Sequence, residues 1–418
     1  MKANAGQDWR SILLAIVSTG GAVLAVALAV VIVVVYAAMN LQGSPERYPF
    51  IDAVLFASAI LYIGALLVPA AYFSFQRLIG KEVALNEIRP MNIPAGFVLT
   101  AIWLGVTALT QVFYGDNILR WITPPFYLLS VSMPVLFFAW LTIGGLRTGS
   151  KQRLWGALES GMLIGPGLAA FIELILVIFL FVGIGIYVSF HPELRMTFNI
   201  LKEQLNNASN PEDILDLVSP YFLNPTVIVI ALIFFSVIAP LVEETAKSLT
   251  TWTIADRLSL PAEGFVIGAL SGAGFGLVES LLASVQPDSS WAITLLVRGG
   301  TAMMHIITAS LTGWGIASLR VNKRFDHMLG TYALAMLLHS LWNACVVMIV
   351  AGSLRITLNA RSSDILGYAF IYIGAAILVM VVLGVPVALG AINRRLRPIA
   401  PLLPPIDLPE GKTIEGVK

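Results

Sequence analysis

The residues able to do chemistry are concentrated in four consecutive apolar stretches between Phe222 and Gly352. Ionisable side chains inside such stretches are costly to bury, so each is a candidate functional residue. Carboxylates and imidazoles together can act as general bases, bind a metal or relay protons. The candidate set is Glu243, Glu244, Lys247, Glu279, His305, His339 and Asn343.

The first stretch places Pro240 ahead of Glu243, Glu244 and Lys247. Proline removes a helical hydrogen bond and kinks the helix, so the two glutamates follow a bend that can expose backbone carbonyls. Glu243 and Lys247 share one helical face, and Glu244 is three residues before the same lysine. The other interpretation is a solvated helix end that carries a surface ion pair.

The second stretch carries a glycine every fourth residue and then Glu279. Such a stripe lets a neighbouring helix approach backbone to backbone, and packing alone explains it. It does not explain the carboxylate, which is either part of a site or interfacial. The stripe is Gly264, Gly268, Gly272 and Gly276.

The third and fourth stretches each place a histidine near the middle of a span. His305 belongs to a polar stripe on one helical face, and His339 shares a face with Asn343. Arg298 in the same stripe either orients a substrate carbonyl or anchors the helix at the membrane interface. The stripe is Arg298, Thr301, His305, Thr308 and Thr312.

Charge balance limits the chemistry of this set. Three ionised glutamates against Lys247 alone leave two buried negative charges, which is costly. Zinc bound by Glu279, His305 and His339 would neutralise them and leave a fourth position for water. A metal-free site, with glutamates protonated or a histidine cationic, is the alternative. The spacing does not decide between them.

The composition excludes an ordinary soluble enzyme. Of 418 residues, 58% are hydrophobic and 12% are charged, and the mean hydropathy is +0.86, whereas soluble proteins carry about 25% charged residues. A net charge of +1 without a basic patch predicts that the protein has no nucleic-acid partner. The expected surroundings are a lipid bilayer, with the plasma membrane as the expected location.

About ten apolar runs reach the ~20 residues that a membrane-spanning helix needs. They predict an all-α, polytopic transmembrane bundle. The runs are Ser11 to Met39, Ile51 to Phe75, Ile93 to Tyr114, Trp121 to Gly145, Gly161 to Phe190, Phe222 to Lys247, Ala262 to Ser284, Trp291 to Leu319, Met328 to Gly352 and Leu366 to Ile392.

Lysines and arginines are most frequent in the loops after the even-numbered runs, which predicts that both termini are cytoplasmic. The chain then divides into five parts. These are an amino-terminal scaffold of five spans (1–190), an acidic outward-facing loop with a small helical cap (191–221), a four-helix core (222–353), a final span (354–393) and a disordered, proline-rich cytoplasmic tail (394–418).

The chemical residues also form an ordered set of motifs. Glu243-Glu244-x-x-Lys247, Phe275-x-x-x-Glu279, His305 and His339-x-x-x-Asn343 resemble those of the PrsW family of intramembrane proteases. That family is related to the CAAX prenyl endopeptidases and the bacteriocin-immunity membrane proteases. The resemblance covers about 222–345.

The resemblance implies an endopeptidase that cleaves a membrane-anchored protein inside the bilayer, by a metal-dependent or a glutamate-type reaction. In the related prenyl endopeptidases the position of Glu279 is usually histidine, which weakens the case for zinc ligation here. The expected base is Glu243 or Glu244, with Lys247 paired to the other carboxylate. His305, His339 and Glu279 would hold zinc or the water itself, and Asn343 would donate to the developing oxyanion.

Two other functions use the same residues. An ion- or proton-coupled transporter would bind a cation or relay protons through the buried glutamates and histidines, although no second copy of the polar helices is found in the amino-terminal half. A membrane protein that only binds a partner is the third possibility. Glu173 has no assigned role, and Ser271 is interpreted as a small packing residue.

Overall fold

The computed structural model describes residues 9–41, 50–81, 85–208, 211–222, 224–359 and 364–397. Within these ranges the chain is almost entirely helical. The α-helices are α1 (Trp9–Leu41), α2 (Phe50–Leu78), α3 (Ile93–Gly115), α4 (Thr123–Ile143), α5 (Lys151–Ser189), α6 (Pro192–Asn207), α7 (Pro211–Phe222), α8 (Pro225–Ile233), α9 (Ala239–Thr253), α10 (Pro261–Ala283), α11 (Trp291–Asn322), α12 (Phe325–Asn359) and α13 (Ile365–Leu396).

Ten helices in the described ranges are long and apolar enough to cross a membrane, with α8 and α9 forming one of them together. The expected all-α transmembrane bundle is therefore confirmed, and the chain is an integral membrane protein. The largest difference in boundaries is at the fifth span. It begins at Lys151 rather than Gly161 because polar residues in its first turns have partners in other helices: Gln152 donates to Ser11 Oγ over 2.8 Å, and Ser18 donates to Glu159.

Two short strands tie together the loops after α2 and α4. Strand β1 (Leu85–Glu87) pairs antiparallel with β2 (Arg147–Ser150), with Leu85 opposite Ser150. The two loops therefore lie on one face of the bundle. We call it the basic face because Arg77 lies in the last turn of α2 and Arg147 and Lys151 follow α4.

Both ends of the described chain reach the basic face. Arg10 pairs with Asp256, in the loop after α9, at 3.0 Å. This hydrogen-bonded contact holds the pKa of Asp256 below its usual range. At the other end, Arg397 Nη2 donates to the Gly144 carbonyl over 3.5 Å. The cytoplasmic orientation of this face stays a prediction, and the tail expected to be disordered lies mostly outside the described residues, from 398 onward.

Helices α10 and α11 form the centre of the bundle and are its most buried spans. The glycine stripe of α10 is the surface that makes this contact: a Cβ on Gly272 would overlap the backbone carbonyl of His305, and one on Gly276 would lie 3.3 Å from the His305 ring. The absence of side chains thus brings Glu279, at the end of α10, into reach of His305.

A single π-helical turn, Phe234–Ile238, joins α8 to α9 immediately before Pro240. Because proline has no N–H to donate, the regular helical ladder cannot continue through this position, and the wider turn accommodates the change. The expected bend before the two glutamates takes this form. The stretch 191–221 carries α6 and α7, as the expected helical cap requires, in its described part.

Candidate active site

Six ionisable residues from four helices meet in one group of contacts. We call Glu243, Glu244 and Lys247 of α9, Glu279 of α10, His305 of α11 and His339 of α12 the polar cluster. Each member lies within 4 Å of at least one other member through its nitrogen or oxygen atoms. Side chains that are up to 96 residues apart in the sequence, Glu243 and His339, therefore converge on one place in the bundle.

Lys247 lies at the centre of the polar cluster and is fully buried. Its Nζ is 2.8 Å from Glu244 Oε1, 3.3 Å from Glu243 Oε2 and 2.6 Å from His305 Nδ1. An ammonium group has three hydrogens, so these three acceptors use all of them. The Phe275 ring lies 4.4 Å from the same nitrogen, in a cation–π contact.

The two adjacent glutamates have different surroundings. Glu244 is completely buried, and its Oε1 accepts hydrogen bonds from Lys247, from Thr308 over 2.9 Å and from His339 Nδ1 over 2.8 Å. The side chain of Glu243 keeps 13% of its surface exposed. Glu244 is therefore held in place by its partners, while Glu243 is accessible.

His305 connects the two carboxylate-bearing helices α9 and α10. Lys247 donates to its Nδ1, so Nε2 carries the ring proton and donates to Glu279 Oε2 over 2.5 Å. One imidazole ring thus links Glu279 of α10 to Lys247 and, through that lysine, to the glutamates of α9.

Arg298 is the last residue in the series of contacts that runs from Lys247 through His305 and Glu279. Its Nη2 lies 2.9 Å from Glu279 Oε1, an ion pair by distance without the alignment of a hydrogen bond. With Arg298 counted, three ionised carboxylates face two permanent cations, and one negative charge is in excess instead of two. The interpretation of Arg298 as a simple interface anchor does not account for this contact.

The model of the PrsW family of intramembrane metalloproteases matches residues 174–385, just over half of the 418 residues. The chain belongs to the PrsW family. The match contains the whole polar cluster and extends beyond the expected 222–345 on both sides. No curated protein and no solved structure matches the chain.

PrsW membership confirms the enzyme interpretation: the chain is an intramembrane protease, acting on protein in a membrane environment. It also favours the protease over the transporter that the same buried residues would allow. The PrsW family is described as a family of metalloproteases, which raises the question of which groups in the polar cluster have the donors for a metal ion.

One set of residues in this PrsW-family chain has the donors for a metal ion. Ligand atoms of Glu243, His305 and His339 lie within 4.8 Å of one another. One carboxylate and two imidazoles are a donor set that zinc accepts. The set predicted from the sequence contains Glu279 instead of Glu243, but Glu279 contacts the opposite ring nitrogen of His305.

Asn343 and Ser271 face other partners. The Asn343 amide donates to the Phe235 carbonyl in the π-helical turn over 2.8 Å. Ser271 Oγ donates to the Lys247 carbonyl over 3.1 Å, which fits its interpretation as a packing residue.

Glu173 of α5 is a residue whose relation to the site the sequence did not reveal. It lies within electrostatic reach of Glu243, Glu279 and Lys247, and its Oε1 is buried without a hydrogen-bond partner. In the sequence, Glu173 is recognisable only as a carboxylate deep in an apolar run. The sequence does not show that α5 packs on α9 and α10, so it does not indicate which residues lie near Glu173.

Proposed function

We propose that this PrsW-family protease hydrolyses a peptide bond of a membrane-anchored protein, using a water molecule that Glu243 activates. The observation that carries the proposal is the position of Glu243: it is the accessible carboxylate of α9, and its Oε2 lies 3.7 Å from His339 Nε2 and 3.8 Å from His305 Nδ1. Both separations exceed the ~3.5 Å limit of a direct hydrogen bond, so a water that contacts both groups is the interaction proposed here.

The His339 ring is oriented to accept a hydrogen bond from that water. Its Nδ1–H donates to Glu244, so Nε2 carries a lone pair and faces Glu243. The water would be placed between two acceptors, Glu243 Oε2 and His339 Nε2. Glu244 contributes by fixing the tautomer and orientation of the ring, as a positioning residue.

The reaction then follows general-base catalysis. The water oxygen attacks the carbonyl carbon of the substrate as Glu243 takes its proton. When the tetrahedral intermediate collapses, the carbon–nitrogen bond breaks and Glu243 returns the proton to the leaving amine. Lys247 supplies positive charge beside the carboxylates throughout.

Asn343 is the proposed donor to the developing oxyanion. A side-chain amide has two N–H donors, and the Phe235 carbonyl takes one of them. The second is left for a substrate oxygen, and preorganised donors of this kind stabilise the charge that develops in the transition state.

The substrate is proposed to approach from the lipid side, between α9 and α12. Both helices carry exposed apolar side chains next to site residues, Leu241 on α9 and Leu337 on α12. Such an edge suits a membrane-anchored segment. Helices α9 to α12 form the proposed catalytic core, and α12 extends six residues beyond the predicted core of 222–353. A plasma-membrane location with the basic face in the cytoplasm completes the proposal.

A zinc-dependent reaction is the second candidate, favoured by the family description and by the donor set. Zinc would be held by Glu243, His305 and His339, and it would lower the pKa of a bound water and polarise the substrate carbonyl. Lys247 would have to leave His305 Nδ1 and Glu243 Oε2, which it contacts. Glu243 would then be a ligand and not the base.

Reconstitution of the full chain with single-span protein substrates tests the proposal. Wild type is expected to cleave at least one of them, and Glu243→Gln none, in the presence or absence of a chelator. Cleavage by Glu243→Gln would contradict the proposed role of Glu243. Loss of wild-type cleavage on chelation, restored by zinc, would establish the second candidate.

A further inference from the structure

A second polar region lies on the basic face, away from the polar cluster. It is a cavity of about 380 Å³, within the ~300–1,000 Å³ range of ligand pockets. Four separate parts of the chain form it: β2, the start of α10, the link from α11 to α12, and the end of α13. Its lining includes Arg147, Trp314, Arg324, His327 and Arg395.

The charge of this cavity is positive and largely unbalanced. Arg147, Arg324 and Arg395 all line it, and no carboxylate does. Arg324 pairs with Asp326 at 3.0 Å, outside the lining. Arg147 and Arg395 have no carboxylate within ion-pair distance among the side chains that the structure describes. Three guanidinium groups from three elements lie around one space, and among the described side chains only Arg324 has a carboxylate partner.

Two further features favour an anion in that space. Helix α10 begins beside it, and no side chain caps its N-terminus at Leu260. Glu263 in its first turn lies outside the lining and pairs with Arg153 at 3.6 Å, so the remaining field of the helix end adds to the arginines. His327 has its Nδ1 buried without a hydrogen-bond partner. Its ring packs edge-on against Trp314, with centroids 4.5 Å apart, and the two form one wall of the cavity.

We propose that this cavity is a binding site for a phosphate-bearing ligand. Guanidinium groups match phosphate oxygens in geometry and charge, and a helix N-terminus adds a favourable field. The phosphate could belong to an anionic lipid headgroup, since the cavity lies at the helix ends, or to a soluble phosphate compound. The site is separate from catalysis, so it stands or falls independently of the proposed reaction.

The test uses the full-length protein in nanodiscs of phosphatidylcholine. One arm adds phosphatidylglycerol and measures retained lipid by native mass spectrometry; the other titrates inorganic phosphate and follows thermal stability. The variant Arg147→Gln with Arg395→Gln removes two cavity cations. The matched control, Arg320→Gln with Arg394→Gln, removes two exposed arginines of the same face that are outside the lining.

Wild type is expected to bind one of the two probes saturably, and the cavity variant to bind it about tenfold or more weakly. The control is expected to bind as wild type does. Phosphatidylglycerol binding alone assigns the site to lipid, and phosphate binding assigns it to a soluble ligand. Absence of binding to wild type, equal binding by the cavity variant, or an equal loss in the control would overturn the proposal. Arg147 and Arg395 make no ion pair with a described side chain, so the unliganded cavity variant should unfold at the wild-type temperature. This is measured first.

Discussion

Lys247 Nζ lies 2.6 Å from His305 Nδ1, across a separation of 58 residues in sequence. This contact decides which nitrogen of His305 accepts and which donates. Because Lys247 donates to Nδ1, the proton on Nε2 faces Glu279. A single ammonium group therefore orders both the glutamates of its own helix and an imidazole two helices further along the chain.

Replacing each of the adjacent glutamates by glutamine should separate catalysis from folding. Glu243→Gln should abolish cleavage because it removes the proposed base. The unfolding temperature should stay near that of wild type, because the side chain is partly exposed and its hydrogen bond is to Lys247, which has two other acceptors. Glu244→Gln should lower stability by about 3 kcal/mol, since it removes the closest anion from a buried ammonium. Cleavage assays and thermal unfolding of the same preparations measure the two effects. Equal loss of stability in both variants would contradict the assignment.

The energetic coupling of Glu244 and Lys247 is measurable in a double-mutant cycle. Lys247→Met alone leaves the buried Glu244 and the partly exposed Glu243 without their cation, and Glu244→Gln alone leaves the cation short of an anion. The double variant should be more stable than the sum of the single losses predicts, by at least about 1 kcal/mol. The free energy of unfolding in mixed micelles gives the number. The exposed Lys323→Met, combined with Glu244→Gln, should instead be additive.

Zinc affinity should rise when Lys247 is removed. The ammonium contacts two of the three donor groups that a metal would use. A divalent ion about 4 Å from the ammonium is repelled by about 8 kcal/mol at an effective dielectric constant near 20. Lys247→Met should therefore bind zinc at least about tenfold more tightly than wild type. Titration of purified protein measures this, with His339→Ala abolishing the gain. Equal affinity in wild type and Lys247→Met would show that lysine and metal do not compete.

The membrane spans and the members of the polar cluster could be predicted from the sequence for the same physical reason. A bilayer requires long apolar runs, and it makes each ionisable residue inside them expensive. His305 and His339 therefore stand out even in an isolated sequence. The contacts that hold them could not be predicted, because Lys247, Glu279 and Glu244 reach them from different helices.

The same limit applies to contacts between distant residues. The sequence around Arg298 does not indicate that this arginine lies beside Glu279 and contributes to the charge balance. The early start of α5 depends on polar partners in α1, such as Ser11 for Gln152. Apolar length alone does not reveal a helix whose first turns are polar and paired across the bundle.

The glycine stripe of α10 provides a test of how the site is positioned. A Cβ on Gly272 would overlap the His305 backbone carbonyl, so Gly272→Ala must separate α10 from α11. Overpacking of this kind costs about 1–3 kcal/mol. It should also move Glu279 away from His305 Nε2 and reduce cleavage, since both residues are carried by the two separated helices.

Gly384→Ala in α13 is the matched control, because a Cβ there has open space around it. Alanine in a helix interior is favoured over glycine by about 0.5–1 kcal/mol, so this variant should be as stable as wild type or slightly more so. Thermal unfolding and cleavage of a single-span substrate distinguish the two. A Gly272→Ala protein that matches the control in both measurements would show that close approach of α10 and α11 does not position Glu279 and His305.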